Sequence, residues 1–270
     1  GEYIRSQIDG LWDDFASAGL VNPLDVVEQI TYLMFIRDLD DFDNLRSKES
    51  AMLGLPYKSI FTEQVKIGNR TIDGNQLKWS VFRDFPAGKM YSVMQEWVFP
   101  FIKELHGDKD SAYSKYMGDA IFKLPTPLLL SKVVDRLDDI YNLMNENQST
   151  DVRGDTYEYL LSKISQSTLN GQFRTPRHII KMMVKMVEPK PNDVICDPAC
   201  GTSGFLVASG EYLKENYKEE IFFNKENKYH YMNNMFYGFD MDRTMLRIGA
   251  MNMMTHGRSE ERRVGKECRS

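Results

Sequence analysis

Val194-Ile195-Cys196-Asp197-Pro198-Ala199-Cys200-Gly201-Thr202-Ser203-Gly204-Phe205-Leu206 is the stretch around which the rest of this 270-residue chain is organised. Val194, Ile195 and Cys196 read as a short strand buried on both faces of a parallel sheet. The pattern breaks at Asp197 into a turn carrying Pro198 and Gly201. A helix then starts near Ser203, with Phe205, Leu206, Val207, Ala208, Tyr212 and Leu213 on its apolar side. Strand, glycine-bearing turn and helix N-terminus together form the crevice in which open α/β sheets bind nucleotides. Gly201 and Gly204 allow close backbone approach to a ligand. Free N–H groups opening the helix suit a carboxylate or a phosphate. The alternative is a strand-to-helix turn that holds nothing. A dinucleotide loop would carry G-x-G-x-x-G, whereas this turn has G-x-x-G, so a nicotinamide enzyme fits less well.

Asp197-Pro198-Ala199-Cys200-Gly201-Thr202-Ser203-Gly204-Phe205 resembles the S-adenosylmethionine loop of amino-group DNA methyltransferases. With Gly171-Gln172-Phe173-Arg174-Thr175-Pro176-Arg177 just upstream, the chain resembles the modification (methyltransferase) subunit of type I restriction-modification systems. The resemblance implies an α/β chain: an N-terminal α-helical domain, then the first half of a Rossmann-like S-adenosylmethionine-dependent methyltransferase domain. It also implies S-adenosyl-L-methionine as cofactor and adenine N6 in DNA as the methyl acceptor. The implied partners are a specificity subunit and a restriction subunit, and the implied setting is the cytoplasm. On the same ground Gln172, Phe173, Arg174, Thr175, Pro176 and Arg177 would line the methionine end of the cofactor site. Arg174 stands where the family has an aromatic or small residue. Asp197, Gly201, Thr202, Ser203 and Gly204 would form the loop beneath the cofactor.

Met235-Phe236-Tyr237-Gly238-Phe239-Asp240 reads as the second strand of the sheet, ending in an acid. A carboxylate there is suited to accept hydrogen bonds from ribose hydroxyls. Asp240 lies further from the glycine loop than the roughly 20 residues usual in dinucleotide folds. Residues 214–234, polar and rich in aromatics, account for the excess as a surface connection. Asp242 caps the following helix, whose inner side is Leu246, Ile248, Ala250 and Met253. The methionines at 241, 245, 251, 253 and 254 read as core filling.

The front of the chain, residues 1–147, reads as almost entirely helical. Trp12, Phe15 and Leu20 begin an amphipathic segment, and Asn22-Pro23 opens the next helix. Val26, Val27, Ile30, Leu33, Met34 and Arg37 follow helical spacing. The acids after them, Asp38, Asp40, Asp41 and Asp43, read as a solvated face. Residues 54–88 read as irregular. Lys78 and Trp79, with Phe82 and Phe85, could stack on bases, but the low positive charge favours packing. Pro127 starts a helix buried along Leu130, Val133, Val134, Leu137, Ile140 or Tyr141, and Met144. The polar run 145–150 marks a boundary. The methyltransferase part then spans 148–257. Within it Thr175 is an expected N-cap and Pro176 the first helical residue. Ile179, Ile180, Met183, Val184 and Val187 form the expected buried stripe, and Glu188-Pro189 ends the helix.

Bulk properties bound the rest. Thirty-four basic against 39 acidic side chains give a net charge of −5, which argues against a chain that grips nucleic acid unaided. No run of about 18 apolar residues suggests a membrane span. Three cysteines, Cys196, Cys200 and Cys268, are an odd number that fits a reducing compartment. The C-x3-C spacing of the first two, without a nearby histidine, is a poor metal signal. None of His106, His178, His230 and His256 pairs with a nucleophile in sequence.

Methyl transfer to an exocyclic amine requires that weakly basic nitrogen to be held in line with the sulfonium methyl. The family uses an Asn/Asp-Pro-Pro-aromatic loop for this, and no such tetrapeptide occurs in the 270 residues. No catalytic residue is therefore assigned, and the fragment itself is expected to be inactive. Two other readings remain open: an RNA or protein methyltransferase, and a non-catalytic helical interaction module.

Residues 258–270 carry five basic, three acidic and only one aliphatic side chain, Val264. They cannot supply a strand buried on both faces. They also resemble the translation of a sequencing-adapter oligonucleotide. The expectation is a non-native tail, with the true gene continuing past Gly257 to the missing loop. Resequencing the locus without adapter reads tests this; a genomic frame that encodes the same tail and a stop codon refutes it.

Overall fold

The computed structural model describes residues 2–105, 111–146, 159–160 and 174–257. They form two compact units, one of residues 1–102 with 121–174, the other of residues 103–120 with 175–270. The front region is therefore not one block: residues 103–120 fold with the later part of the chain. The polar boundary at 147–150 and the tail from 258 lie outside the described residues.

The first unit is helical, as its periodicity predicts. Helix α1 spans Glu2–Ser17 and α2 spans Pro23–Met52, opened by Asn22, whose side chain accepts from the N–H groups of Leu24 and Asp25. A hairpin follows, β1 Val65–Ile67 and β2 Arg70–Ile72, joined by Gly68-Asn69. It corrects the irregular reading of this region; alternation around a two-residue Gly-Asn turn is a hairpin signal. Helices α3 (Trp79–Phe82), α4 (Ala87–Val93) and α5 (Phe99–Lys103) come next, with a π-helical turn over Met94–Val98. Helix α7, Pro127–Glu146, buries its predicted stripe from Leu130 to Met144. Trp79 and Phe82 are buried, so this patch is core.

The acids of α2 depart from the solvated face expected of them. Asp40 and Asp43 are buried. Asp43 accepts from Tyr57 Oη (2.7 Å), Ser59 Oγ (2.6 Å) and the Ile60 N–H (3.1 Å), and Asp40 accepts from the Ser80 N–H (2.8 Å). Buried carboxylates need such donors; the loop after α2 supplies those of Asp43, and the first turn of α3 supplies that of Asp40. Nearby, Asp138 of α7 pairs with Arg37 and accepts from Trp79 Nε1 at 2.8 Å, with Arg83 Nη1 at 3.4 Å. Arg37 also lies over the rings of Trp79 and Tyr141.

The second unit contains α6 (Ala112–Met117), α8 (Arg177–Val187), β3 (Ile195–Asp197), α9 (Gly204–Phe222), α10 (Lys225–Asn233), β4 (Phe236–Gly238) and α11 (Arg243–Gly257). Strands β3 and β4 pair in parallel, with Ile195 opposite Phe236 and Asp197 opposite Gly238. Cys200, Leu206, Leu246 and Ala250 form one core cluster with Ala112 and Tyr116. Leu213, Ile221, Tyr231, Met232 and Met235 form another.

Several expectations are corrected here. Residues 214–234 are not a loose connection: α9 runs to Phe222 and α10 covers most of the remainder, because Ile221, Tyr231 and Met232 have a core to enter. Strand β3 is not buried on both faces. Ile195 packs against the core, while Val194 and Cys196 are exposed on the alternate side. Helix α8 buries Ile180 and Val184 against Ala208, but Met183 and Val187 are exposed; its buried stripe is narrower than the five positions predicted. Thr175 is not the N-cap. Pro176, extended at ψ 142°, takes that position and Arg177 is the first helical residue. The helix ends as expected, at Glu188 in the left-handed region with φ 51°. Met245, Met251 and Met254 fill core, whereas Met241 is fully exposed. The side chains of His106 and His256 lie outside the described residues. His178 is exposed, and His230 Nε2 meets the Asp193 carbonyl at 2.7 Å.

Residues 111–120 are clamped to α11 by its two arginines. Arg247 donates to the Tyr116 carbonyl (2.6 Å) and to Asp119 (2.7 Å). Arg243 donates to Asp119 (2.6 Å) and the Lys115 carbonyl (2.8 Å). Burial works against ionisation of Asp119, but the hydrogen bonds from Arg243 and Arg247 outweigh it and hold the carboxyl below its ordinary 3.8.

Two outcomes are expected. Asp138→Ala takes from Arg37 its buried partner and leaves it only the half-exposed Asp41 at 3.5 Å, and should lower unfolding stability by roughly 2–4 kcal/mol, read from urea melts; an unchanged midpoint would count against the network. Asp119 has a folded pKa below its unfolded value, so its contribution is present above pH 3.8 and is lost as pH falls through the lower folded value. Asp119→Asn should therefore destabilise the protein modestly at neutral pH, and the gap from the parent should close on acidification. A gap that widens on acidification would contradict the assignment.

Candidate cofactor crevice at the carboxyl edge of the sheet

Chain geometry brings the turn after β3 against the end of β4. The Phe239 N–H bonds to the Asp197 carbonyl (2.9 Å), and the Cys200 N–H bonds to the Phe239 carbonyl (2.8 Å). These contacts carry the parallel pairing past the end of the strands. The Gly201 N–H then donates to Asp240 Oδ2 at 3.0 Å, while Asp240 Oδ1 accepts from the Asp242 N–H at 2.8 Å. Asp240 thus lies at the carboxyl end of β4, as predicted, and also braces the glycine turn, which the sequence reading did not foresee. Asp242 caps α11 as expected, accepting from the N–H groups of Thr244 and Met245.

Gly201 has φ 51°, a backbone conformation L side chains rarely adopt, and nothing lies within 4 Å of where its Cβ would be. That side of the turn is open. Gly204 is closely packed: a Cβ there would sit 3.2 Å from Ile180 Cδ1 of α8, which would have to shift slightly to admit it. Ser203 precedes α9 in the left-handed region with φ 66° and makes no side-chain cap. Its side chain is buried, as is that of Thr202. The Ser203 hydroxyl is turned towards α11, 2.6 Å from the position of a Cβ on Gly249. Of the expected loop, backbone and the two carboxylates Asp197 and Asp240 are what remain to meet a ligand.

Upstream, Thr175 and Pro176 are exposed beside α8, and Arg177 faces Glu211 of α9 at 3.9 Å. Arg174 is half-buried in the first unit. Gln172 and Phe173 lie outside the described residues. Asp197 Oδ1 accepts from the Ala199 N–H at 3.1 Å. Sequence reading missed Asn252, whose Nδ2 donates to the Thr202 carbonyl at 2.9 Å, and Gly249 one turn before it. Their i, i+3 spacing on α11 was the available signal.

Residues 4–137 match the family of the HsdM N-terminal domain, and residues 148–266 match the N-6 DNA methylase family. The second match runs into the segment suspected as a tail. The chain belongs to the methylase-subunit family of type I restriction enzymes. It is 28% identical over 165 residues to the EcoEI methylase subunit of Escherichia coli, a match covering 59% of this chain and 32% of that protein. It is 33% identical over 157 residues to the StySJI methylase subunit of Salmonella typhimurium, covering 57% and 30%. The matched region thus spans about a third of the length of these relatives. In fold it is similar to a modification subunit assigned to a type I restriction enzyme from Vibrio vulnificus YJ016. That likeness has a TM-score of 0.69 at 20% identity, over 97% of this chain and 55% of that one. A methyltransferase subunit from Streptococcus thermophilus gives a TM-score of 0.56 at 14% identity, over 98% and 58%. Among the described residues no helix is long and apolar enough to cross a membrane.

Proposed function

We propose that this chain is the front part of a site-specific DNA adenine N6-methyltransferase subunit that uses S-adenosyl-L-methionine. In this reading residues 1–147 are its helical N-terminal domain, 148–257 part of its methyltransferase domain, and 258–270 a non-native tail. The observation that carries it is the bond from the Gly201 N–H to Asp240, which joins a G-x-x-G turn and a strand-end carboxylate into one rim.

The donor set suits the cofactor. S-adenosylmethionine bears a ribose diol, an ammonium and a sulfonium, so a rim with two carboxylates, Asp197 and Asp240, offers acceptors and opposite charge. When bound, it supplies an electrophilic methyl group. Asp240 would accept from the ribose hydroxyls on the lone pairs its backbone donors leave available. The open flank of Gly201 would let the ligand lie against the turn. Gln172, Phe173, Arg174, Thr175, Pro176 and Arg177 would flank the methionine end, with Thr202, Ser203 and Gly204 contributing main chain.

Duplex DNA as substrate follows from the family, and the net charge of −5 favours partners that supply positive surface, namely a specificity subunit and a restriction subunit. Cytoplasmic residence accords with the odd number of cysteines, three.

The test uses the complete subunit from the intact gene, its specificity subunit and donor labelled on the methyl group. Expected is cofactor-dependent label on adenine N6 of duplex DNA. Label on RNA or protein, or none, would favour the other readings. The 270-residue chain should transfer nothing, because orientation of the amine can carry on the order of 7–11 kcal/mol of a barrier. In the complete subunit Asp240→Ala should weaken calorimetric cofactor binding by roughly 1–3 kcal/mol; an unchanged dissociation constant removes Asp240 from the site.

A further inference from the structure

We infer that Gly249 and Asn252, one turn apart on α11, are positioning residues that hold the Gly201–Ser203 turn in the form that receives the methyl donor. This rests on the cofactor reading above. Residues at i and i+3 share a helix face, and here that face meets the back of the turn. A Cβ on Gly249 would lie 2.6 Å from Ser203 Oγ, 3.3 Å from the Gly201 carbonyl oxygen and 3.5 Å from the Thr202 carbonyl carbon. A methyl group there would force the Ser203 hydroxyl to move and would crowd the Gly201 carbonyl. Asn252 Nδ2 donates to the Thr202 carbonyl at 2.9 Å.

The turn is thereby held by two different elements. Asp240 takes the Gly201 N–H, and Asn252 reaches the Thr202 carbonyl. This matters because Ser203 sits at φ 66°, in a region that non-glycine residues keep only where the surroundings over-determine it. Its own hydroxyl does not help: buried, it has no hydrogen-bond partner among the described residues. The constraint comes from outside the turn, and α11 applies it. That helix is a fixed platform, since Arg243 and Arg247 tie it to residues 115–119. A loosened turn would present its N–H groups to the ligand in scattered geometry. Ligand binding would then have to order it, at a cost in affinity.

The test is on the complete subunit, with S-adenosylmethionine and S-adenosylhomocysteine as calorimetric probes and amide hydrogen exchange on residues 200–204. Asn252→Asp keeps the side-chain size and removes the donor. It should weaken both ligands on the order of tenfold and speed exchange in the turn, while the unfolding midpoint of the free subunit falls by no more than the loss of one hydrogen bond accounts for. Gly249→Ala should also weaken both ligands and speed exchange in the turn, by displacing Ser203. Thr255→Ala, on the same helix but with its hydroxyl on the Met251 carbonyl, should leave affinity unchanged. Unaltered affinity in Asn252→Asp overturns the inference, and this variant decides the matter if Gly249→Ala does not fold. So does a loss matched by a lowered midpoint with exchange raised throughout the unit, which would mark a general stabilising role. A parent that binds neither ligand removes the cofactor reading and this inference together; that result is visible before any variant is made.

Discussion

Three successive main-chain donors, the N–H groups of Phe239, Cys200 and Gly201, find acceptors across the gap between the end of β3 and the end of β4. Much of the second unit depends on this lacing. Two strands of three residues each make a marginal sheet by themselves. The three bonds carry their pairing on into the loops, where backbone polar groups near a core must be satisfied. The last acceptor is a side chain, Asp240, where a third carbonyl would otherwise stand. A sheet edge thereby passes into a rim with a carboxylate on it, and the glycine turn acquires a fixed height above the strand.

The first unit uses buried carboxylates for another end. Asp40, Asp43 and Asp138 act as acceptors for groups distant in sequence: Ser80, the 57–60 loop, and Trp79 with Arg37. Asp43 fastens a loop to α2, while Asp40 and Asp138 tie α2, α3 and α7 to one another. The geometry is demanding, because a buried acid missing one donor costs more than its pairing returns. Asp119, by contrast, is half-exposed, so its bonds to Arg243 and Arg247 fasten a segment without the same desolvation.

What was legible in the sequence was local. The stripe of α7, the Asn22 and Asp242 caps, the stop at Glu188 and the start of α9 after Ser203 all depend on residues within a turn or two of one another. The misreadings involve distant partners. Nothing near Asp40 in sequence announces Ser80. Nothing in 214–234 announces that Tyr231 and Ile221 will share a core with Met235. The burial of β3 was misjudged because an apolar run says that a strand is favourable, not how many neighbours will cover it; Cys196, one residue from Ile195, faces the other way and is exposed. In the site, spacing pointed to Gly201 and Asp240 separately, but their hydrogen bond is a fact of the fold. Thr202 and Ser203 were legible as members of the loop, while the inward direction of their side chains depends on α11, some 45 residues later in the sequence.

That last dependence bears on how such a loop can be specific with so few side chains. The parts of the turn left facing outward are largely peptide groups and two carboxylates, and peptide groups discriminate only by position. Position must then be set from behind, by side chains that never meet the ligand. A glycine on a supporting helix is an economical way to do so, because it lets a second backbone approach where any Cβ would push the turn outward. At Gly249 a Cβ would lie 2.6 Å from Ser203 Oγ and 3.3 Å from the Gly201 carbonyl oxygen, so its absence lets α11 lie against the turn. In the proposed site the glycines of the motif and the glycine of the support would be one device: the first would set how near a ligand can come, and the second where the surface it approaches lies.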